Sequence, residues 1–166
     1  MSEIWDVYDE NANLTGRTMK RGIPKPGDYM LCVHIYLYRP DGMFLLQKRS
    51  MNKQSHPGEW DVTGGAVLSG EKSIEGAIRE TYEEIGILLD KSELFCTKRI
   101  KRKNNFVDIY FAKKQFEITD CVLQKEEVEE VKLVNGIELI HLAINSRHRD
   151  REYVNVISMQ IDKILN

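Results

Sequence analysis

Glu80, Glu83 and Glu84 stand at i, i+3 and i+4 in the segment Gly65 to Ile87, which reads G-A-V-L-S-G-E-K-S-I-E-G-A-I-R-E-T-Y-E-E-I-G-I. On a helix turning about 100° per residue these carboxylates project from one side. They repel one another unless a cation sits among them, and oxygen-only ligands of this kind suit Mg²⁺ or Mn²⁺. Arg79 lies beside them and Glu71 precedes the helix, so an Arg79–Glu71 pair could tie the loop to the helix and fix the ligands in place. Ile74, Ala77, Ile78, Thr81, Tyr82 and Ile85 fall on another side and form an apolar stripe expected to be buried. The competing interpretation of any ExxEE is a solvated acidic face with intrahelical ion pairs.

The longer spacing resembles the Nudix box, the loop-helix signature of the Nudix hydrolases. Gly65, Glu71, Arg79, Glu80, Glu83, Glu84, Gly86 and Ile87 fill its defined places in register. Thr81 departs from it at a position the box gives to a bulky apolar residue. Thr81 is on the apolar stripe, where its hydroxyl could bond back to the carbonyl one turn earlier. The resemblance implies an α/β/α sandwich with a mixed β-sheet. It also implies hydrolysis of a nucleoside diphosphate linked to a further group X, or of a related organic diphosphate, by in-line attack of water on phosphorus. On that resemblance Glu80 and Glu84 lead the Mg²⁺ ligands, with Glu83 a third and the Gly65 carbonyl a backbone ligand. Glu71 and Arg79 orient them. The general base of many members comes from a later loop, a place that Lys125 to Glu130 can fill. Glu127 is the favoured residue there, completing a catalytic set with Glu71, Arg79, Glu83 and Glu84; the alternative for this segment is an acidic strand edge that discourages aggregation.

WDVYDENANLTG, LLQKRSMNK and PGEWD resemble the Nudix branch that includes isopentenyl-diphosphate isomerase and its hydrolase-like relatives. That isomerase needs a cysteine acid/base and a histidine-rich metal site. The corresponding stretch here, Glu59 to Gly65, contains neither Cys nor His, which favours hydrolysis over isomerisation. An isomerase-like enzyme and a non-catalytic nucleotide-binding module remain as alternatives. Arg49 and Lys53 are candidates to hold a diphosphate. Lys98, Arg99, Lys101, Arg102 and Lys103 could meet phosphates too, although strand alternation puts only half of them on one face. His34, His56, His141 and His148 are scattered and suggest no zinc site; His34 reads as a strand-packing residue.

The elements that would position these groups are legible from pattern. Trp5 to Tyr8 and Arg17 to Arg21 flank turn-forming residues, giving an N-terminal β-hairpin over about residues 4–22. Strands are expected at Tyr29 to Tyr38, Met43 to Lys48, Trp60 to Thr63, Leu94 to Arg102, Phe106 to Phe116 and Val128 to Val134. The Trp60 strand should deliver the chain to a glycine turn at Gly64-Gly65. Helices follow near Ile137 to Asn145 and Val156 to Leu165.

A chain of 166 residues, 42% hydrophobic, suits a single domain over 1–166 with an ample core. Its net charge of −2 gives no general attraction to nucleic acid or membrane. The partner expected is a small nucleotide or organic diphosphate, with a homodimer through the N-terminal hairpin left open. No apolar run approaches a membrane span, and the acidic N-terminus has no signal-peptide core. Cys32, Cys96 and Cys121 are three unpaired positions without CxxC, which suits reduced thiols in the cytoplasm. Cys32 and Cys96 are expected to be buried and inert.

Overall fold

The structure, a computed structural model, describes residues 1–166. Strands β1 (Ile4–Tyr8) and β2 (Leu14–Lys20) pair antiparallel as a separate two-stranded sheet. It is joined to the rest by a bridge from Tyr8 to Tyr29. The main sheet has seven strands: β3 (Met30–Tyr38), β4 (Phe44–Arg49), β5 (Trp60–Asp61), β6 (Thr63–Ala66), β7 (Leu94–Lys101), β8 (Asn105–Lys113) and β9 (Val128–Val134). The strand β3 is its centre. It runs parallel to β8 along its whole length and antiparallel to β6, while β4 carries β5 and β9 as antiparallel neighbours. The sheet is therefore mixed, as the sequence pattern suggests.

Period-two alternation along β3 and β8 builds two cores. Leu31, Val33, Ile35 and Leu37 face helix α1 (Ser73–Ile85), packing with Ala77 and Ile85. Tyr36 and Tyr38, with Val107, Ile109 and Phe111 of β8, face α2 (Gly136–Asn145) and α3 (Arg151–Leu165) through Leu139, Tyr153, Ile157 and Ile161. Helices thus cover both faces of the sheet. The last helix begins five residues before Val156, because Asp150 caps it by accepting from the Tyr153 backbone N–H.

Three expectations need correcting. Gly64 and Gly65 are not in a turn: they belong to β6, paired with His34 and Val33 of β3, and the break in the expected Trp60 strand falls at Val62. Tyr82 is 57% exposed, while Gly76, Glu80 and Glu84 are buried alongside Ala77, Thr81 and Ile85. The buried arc of α1 is rotated toward its carboxylates because the helix docks against the glycine strand. Cys96 is exposed, lying on β7, a sheet edge that bulges between Cys96 and Lys98. Thr81, by contrast, does bond back: its Oγ1 donates to the Ala77 carbonyl at 2.8 Å.

Candidate active site

The site begins where α1 meets β6. A Cβ on Gly65 would lie 2.4 Å from the Glu80 carboxyl carbon, and one on Gly64 would lie 2.4 Å from the Val33 carbonyl oxygen. Only glycine lets backbone and carboxylate come this close. Gly86 then ends the helix in the left-handed region, φ 73°, its N–H donating to the Tyr82 carbonyl.

Burial pushes the Glu80 carboxyl up to about 7, with Arg79 opposing the rise. Burial and the neighbouring Glu80 charge push Glu84 up to about 8, while hydrogen bonds from Gln47 and the Gly64 N–H oppose it. Glu84 Oε2 accepts both of these bonds, at 2.8 and 3.3 Å, and Glu80 Oε1 accepts from Arg79 at 2.9 Å. The other oxygen of each carboxylate has no protein partner, and neither is among the sealed, unsatisfied atoms. Glu83 is half exposed and also binds Arg79, at 3.1 Å.

Arg79 braces the cluster. Its Nε and Nη2 donate to the two oxygens of Glu71 at 2.8 and 3.1 Å, Nη2 also reaches the Ala66 carbonyl, and Nη1 serves Glu80 and Glu83. Glu71 in turn accepts from the Leu68 N–H. One guanidinium thus ties loop, strand and helix together, and these bonds to carboxylates outweigh burial and raise its pKa further. With Arg79 taking Glu80 and Glu83, no three His, Cys, Asp or Glu side chains are gathered at ligating distance. The donor set nonetheless fits a hard divalent ion. Two adjacent buried carboxylates each keep one unpartnered oxygen beside backbone that only glycine allows so near.

A cavity of about 480 Å³ opens over this cluster. It brings together Gly65, Glu80, Glu83, Glu84, Arg49, Lys53 and Glu127; Glu71 and Arg79 stand behind the lining. Lys53 pairs with Glu127. Arg49 donates only to Ser55, through Nε and Nη2 to its carbonyl, and forms no ion pair with a carboxylate. Burial, with Arg147 close by, lowers its pKa against the pull of the Asp61, Glu84 and Glu127 carboxylates. The basic cluster at residues 98–103 is mostly neutralised: Lys98 by Glu152, Arg99 by Asp108 and Arg102 by Asp150.

The rest of the cavity wall was not foreseen. Asp61 is buried and takes His148 Nε2 at 3.1 Å and Arg147 at 2.5 Å. Burial alone would raise its carboxyl, but His148 and the surrounding positive groups hold it well below the usual carboxylate range. His34, expected to be a packing residue, packs against Tyr153 and His148 and also lines the cavity, with Nδ1 2.7 Å from the Tyr153 hydroxyl and its ring 4.7 Å from that of His148. Burial, with His148 beside it, holds His34 well below the usual histidine range, so the ring is neutral. The sequence carried one clue to this wall, a histidine sharing a strand face with Tyr36. Nothing local linked Asp61 to residues 147 and 148. Cys32 also lines the cavity, its thiol pushed up to about 11 by burial.

A mixed sheet between helices, with a braced row of glutamates on a helix docked to a glycine strand, defines an α/β/α sandwich with an acidic helix at its cavity. The Nudix domain family matches residues 28–155, and the chain belongs to the Nudix family of pyrophosphohydrolases. An uncharacterized Nudix hydrolase of Listeria monocytogenes is 37% identical over 139 residues, 82% of each chain. The isopentenyl-diphosphate Delta-isomerase of Streptomyces avermitilis is 32% identical over 86 residues, 51% of this chain and 44% of its own. Among solved structures, DR0079 from Deinococcus radiodurans superposes with a TM-score of 0.74 over 99% of this chain and 100% of its own, at 17% identity, and shares the fold.

Proposed function

We propose that the chain, acting as one unit over residues 1–166 in the cytoplasm, hydrolyses a pyrophosphate bond by attack of water on phosphorus. The substrate is a nucleoside diphosphate linked to a further group, or a related organic diphosphate. The observation that carries this is the pair of buried carboxylates, Glu80 and Glu84, each with one unpartnered oxygen at the floor of a cavity that also holds Arg49 and Lys53. Glu80, Glu83, Glu84 and the Gly65 carbonyl would hold Mg²⁺, or Mn²⁺ in its place. When bound, such an ion neutralises phosphate oxygens and lowers the pKa of an attacking water.

The chain's own groups supply the remainder. Arg79 and Glu71 keep the ligands from splaying apart, as partners behind a metal site do. Arg49 and Lys53 bind the diphosphate by charge-assisted hydrogen bonds. Glu127, at the cavity wall, takes the proton of the attacking water. The ion pair with Lys53 holds it in place.

A hydrolysis screen with and without Mg²⁺ tests this reading, across nucleotide sugars, dinucleotides, ADP-ribose, NADH and nucleoside triphosphates. Metal-dependent release of two phosphate-bearing products from one class is expected. Interconversion of the five-carbon diphosphates would establish an isomerase instead. Tight binding of one compound without turnover would establish a binding module.

A further inference from the structure

Tyr36, Tyr153 and His34 form a chain of hydrogen bonds whose protons can be assigned by counting. The Tyr36 hydroxyl lies 2.8 Å from the Tyr153 hydroxyl, which lies 2.7 Å from His34 Nδ1. Tyr36 and Tyr153 are both buried, and Tyr36 has no other hydrogen-bond partner. If Nδ1 carried the imidazole proton it would donate to Tyr153, Tyr153 would donate to Tyr36, and the Tyr36 proton would be left with no acceptor in the core. A buried donor left unmade costs about 1–3 kcal/mol. The opposite direction satisfies every proton: Tyr36 donates to Tyr153 and Tyr153 donates to Nδ1. His34 is then the neutral Nε2–H tautomer.

That Nε2 has no protein partner. The sole sealed polar side-chain atom without one is Thr97 Oγ1, so His34 Nε2 is open, and the opening available to it is the cavity that His34 lines. A Cβ on Gly64 would come within 3.1 Å of His34 Cδ2, the atom next to Nε2, so glycine at 64 also clears the ring's edge. The same cavity holds the Arg49 guanidinium, which has no carboxylate partner and favours an anion there.

We propose that His34 is a substrate-binding residue, donating from Nε2–H to an anionic oxygen of the bound substrate, and that Tyr153 and Tyr36 are positioning residues that fix its tautomer. The proposal rests on the same cavity being the substrate site and deepens that reading. It adds a neutral donor, on the sheet face that carries α3, to the metal-binding helix on the other face.

Long-range ¹H–¹⁵N NMR of the histidine rings, recorded in EDTA, tests it without turnover. His34 is expected to show the Nε2–H tautomer in the wild type and a mixture in Tyr153→Phe. Inorganic phosphate, added with Mg²⁺ in place of EDTA so that the acidic helix does not repel it, is expected to shift the Nε2 resonance. His34→Ala should weaken phosphate binding by about tenfold, the size of one hydrogen bond to a charged group. His34→Gln, which can place an amide N–H near the same point, should restore most of it. An Nδ1–H tautomer, a resonance unmoved by phosphate, or unchanged affinity in His34→Ala overturns the proposal. Absence of hydrolysis in the substrate screen would overturn the proposed reaction and leave the tautomer and phosphate results standing.

Discussion

Gln47 on β4 donates its side-chain amide N–H to Glu84 Oε2 at 2.8 Å, and Thr63 Oγ1 donates to the Gln47 side-chain oxygen Oε1. The buried amide therefore aims one glutamate oxygen and leaves the other facing the cavity. Gln47→Leu removes that support without touching the carboxylate and should lower activity or Mg²⁺ affinity by about 10- to 100-fold, the usual effect of losing a partner behind a metal ligand. Glu84→Gln and Glu80→Gln should each cost about a hundredfold or more in kcat with the fold intact by circular dichroism. Near-normal rates in both glutamine variants at limiting Mg²⁺ would remove these residues from the site.

Arg79 binds Glu71 through two nitrogens, and the same guanidinium holds Glu80 and Glu83. Glu71→Gln and Arg79→Ala should both damage activity. Because each variant disables the same brace, the double variant should lose less than the product of the single losses, with a coupling of about 0.5–3 kcal/mol. Multiplicative losses in a double-mutant cycle would show that the two act independently.

Asp61 ionises in the folded chain well below its ordinary value of 3.8, because His148 and the positive groups around it outweigh the cost of burial. A depressed carboxylate stabilises the fold above its unfolded pKa, and that stabilisation is lost as pH falls through the folded value. Asp61→Asn should therefore be less stable than wild type at pH 7, by about 3–5 kcal/mol for a broken buried ion pair. The gap should narrow in acid, below about pH 4. Urea unfolding at neutral and acid pH measures it, and a gap that stays constant with pH would contradict the role assigned to Asp61.

Glu127 pairs with Lys53 at the cavity wall. Glu127→Gln should lower kcat by about 10²- to 10⁴-fold, the range of a lost general base, with Mg²⁺ affinity unchanged. Unchanged kcat would move the search to Glu126, Glu129 or Glu130.

Local spacing carried the sequence reading a long way. The helix from Ser73 to Ile85, the strand pattern and the Arg79–Glu71 contact are all encoded within short windows, where periodicity and i, i+4 geometry act. What docks against what is not local. The close packing that rotates Glu80 and Glu84 inward and leaves Tyr82 outside depends on Gly65 meeting α1. Asp61 and His148 come together only because β5 and the segment before α3 are brought to one end of the sheet. Four histidines scattered in sequence thus concealed a pair, His34 and His148, that share a wall with Asp61 and rest on the buried Tyr153.

Hydrolysis in ¹⁸O-labelled water tests the central reading most directly, once the screen has supplied a substrate. Attack of water on phosphorus should place one ¹⁸O in one of the two phosphate-bearing products, seen as a mass shift, and the labelled product identifies which phosphorus was attacked. A fall of about a hundredfold in the rate at which labelled product forms in Glu84→Gln would tie the step to the acidic helix. Products without ¹⁸O in any phosphate, or isopentenyl diphosphate isomerised at about 1 s⁻¹ or faster, an ordinary enzymatic rate, would contradict it.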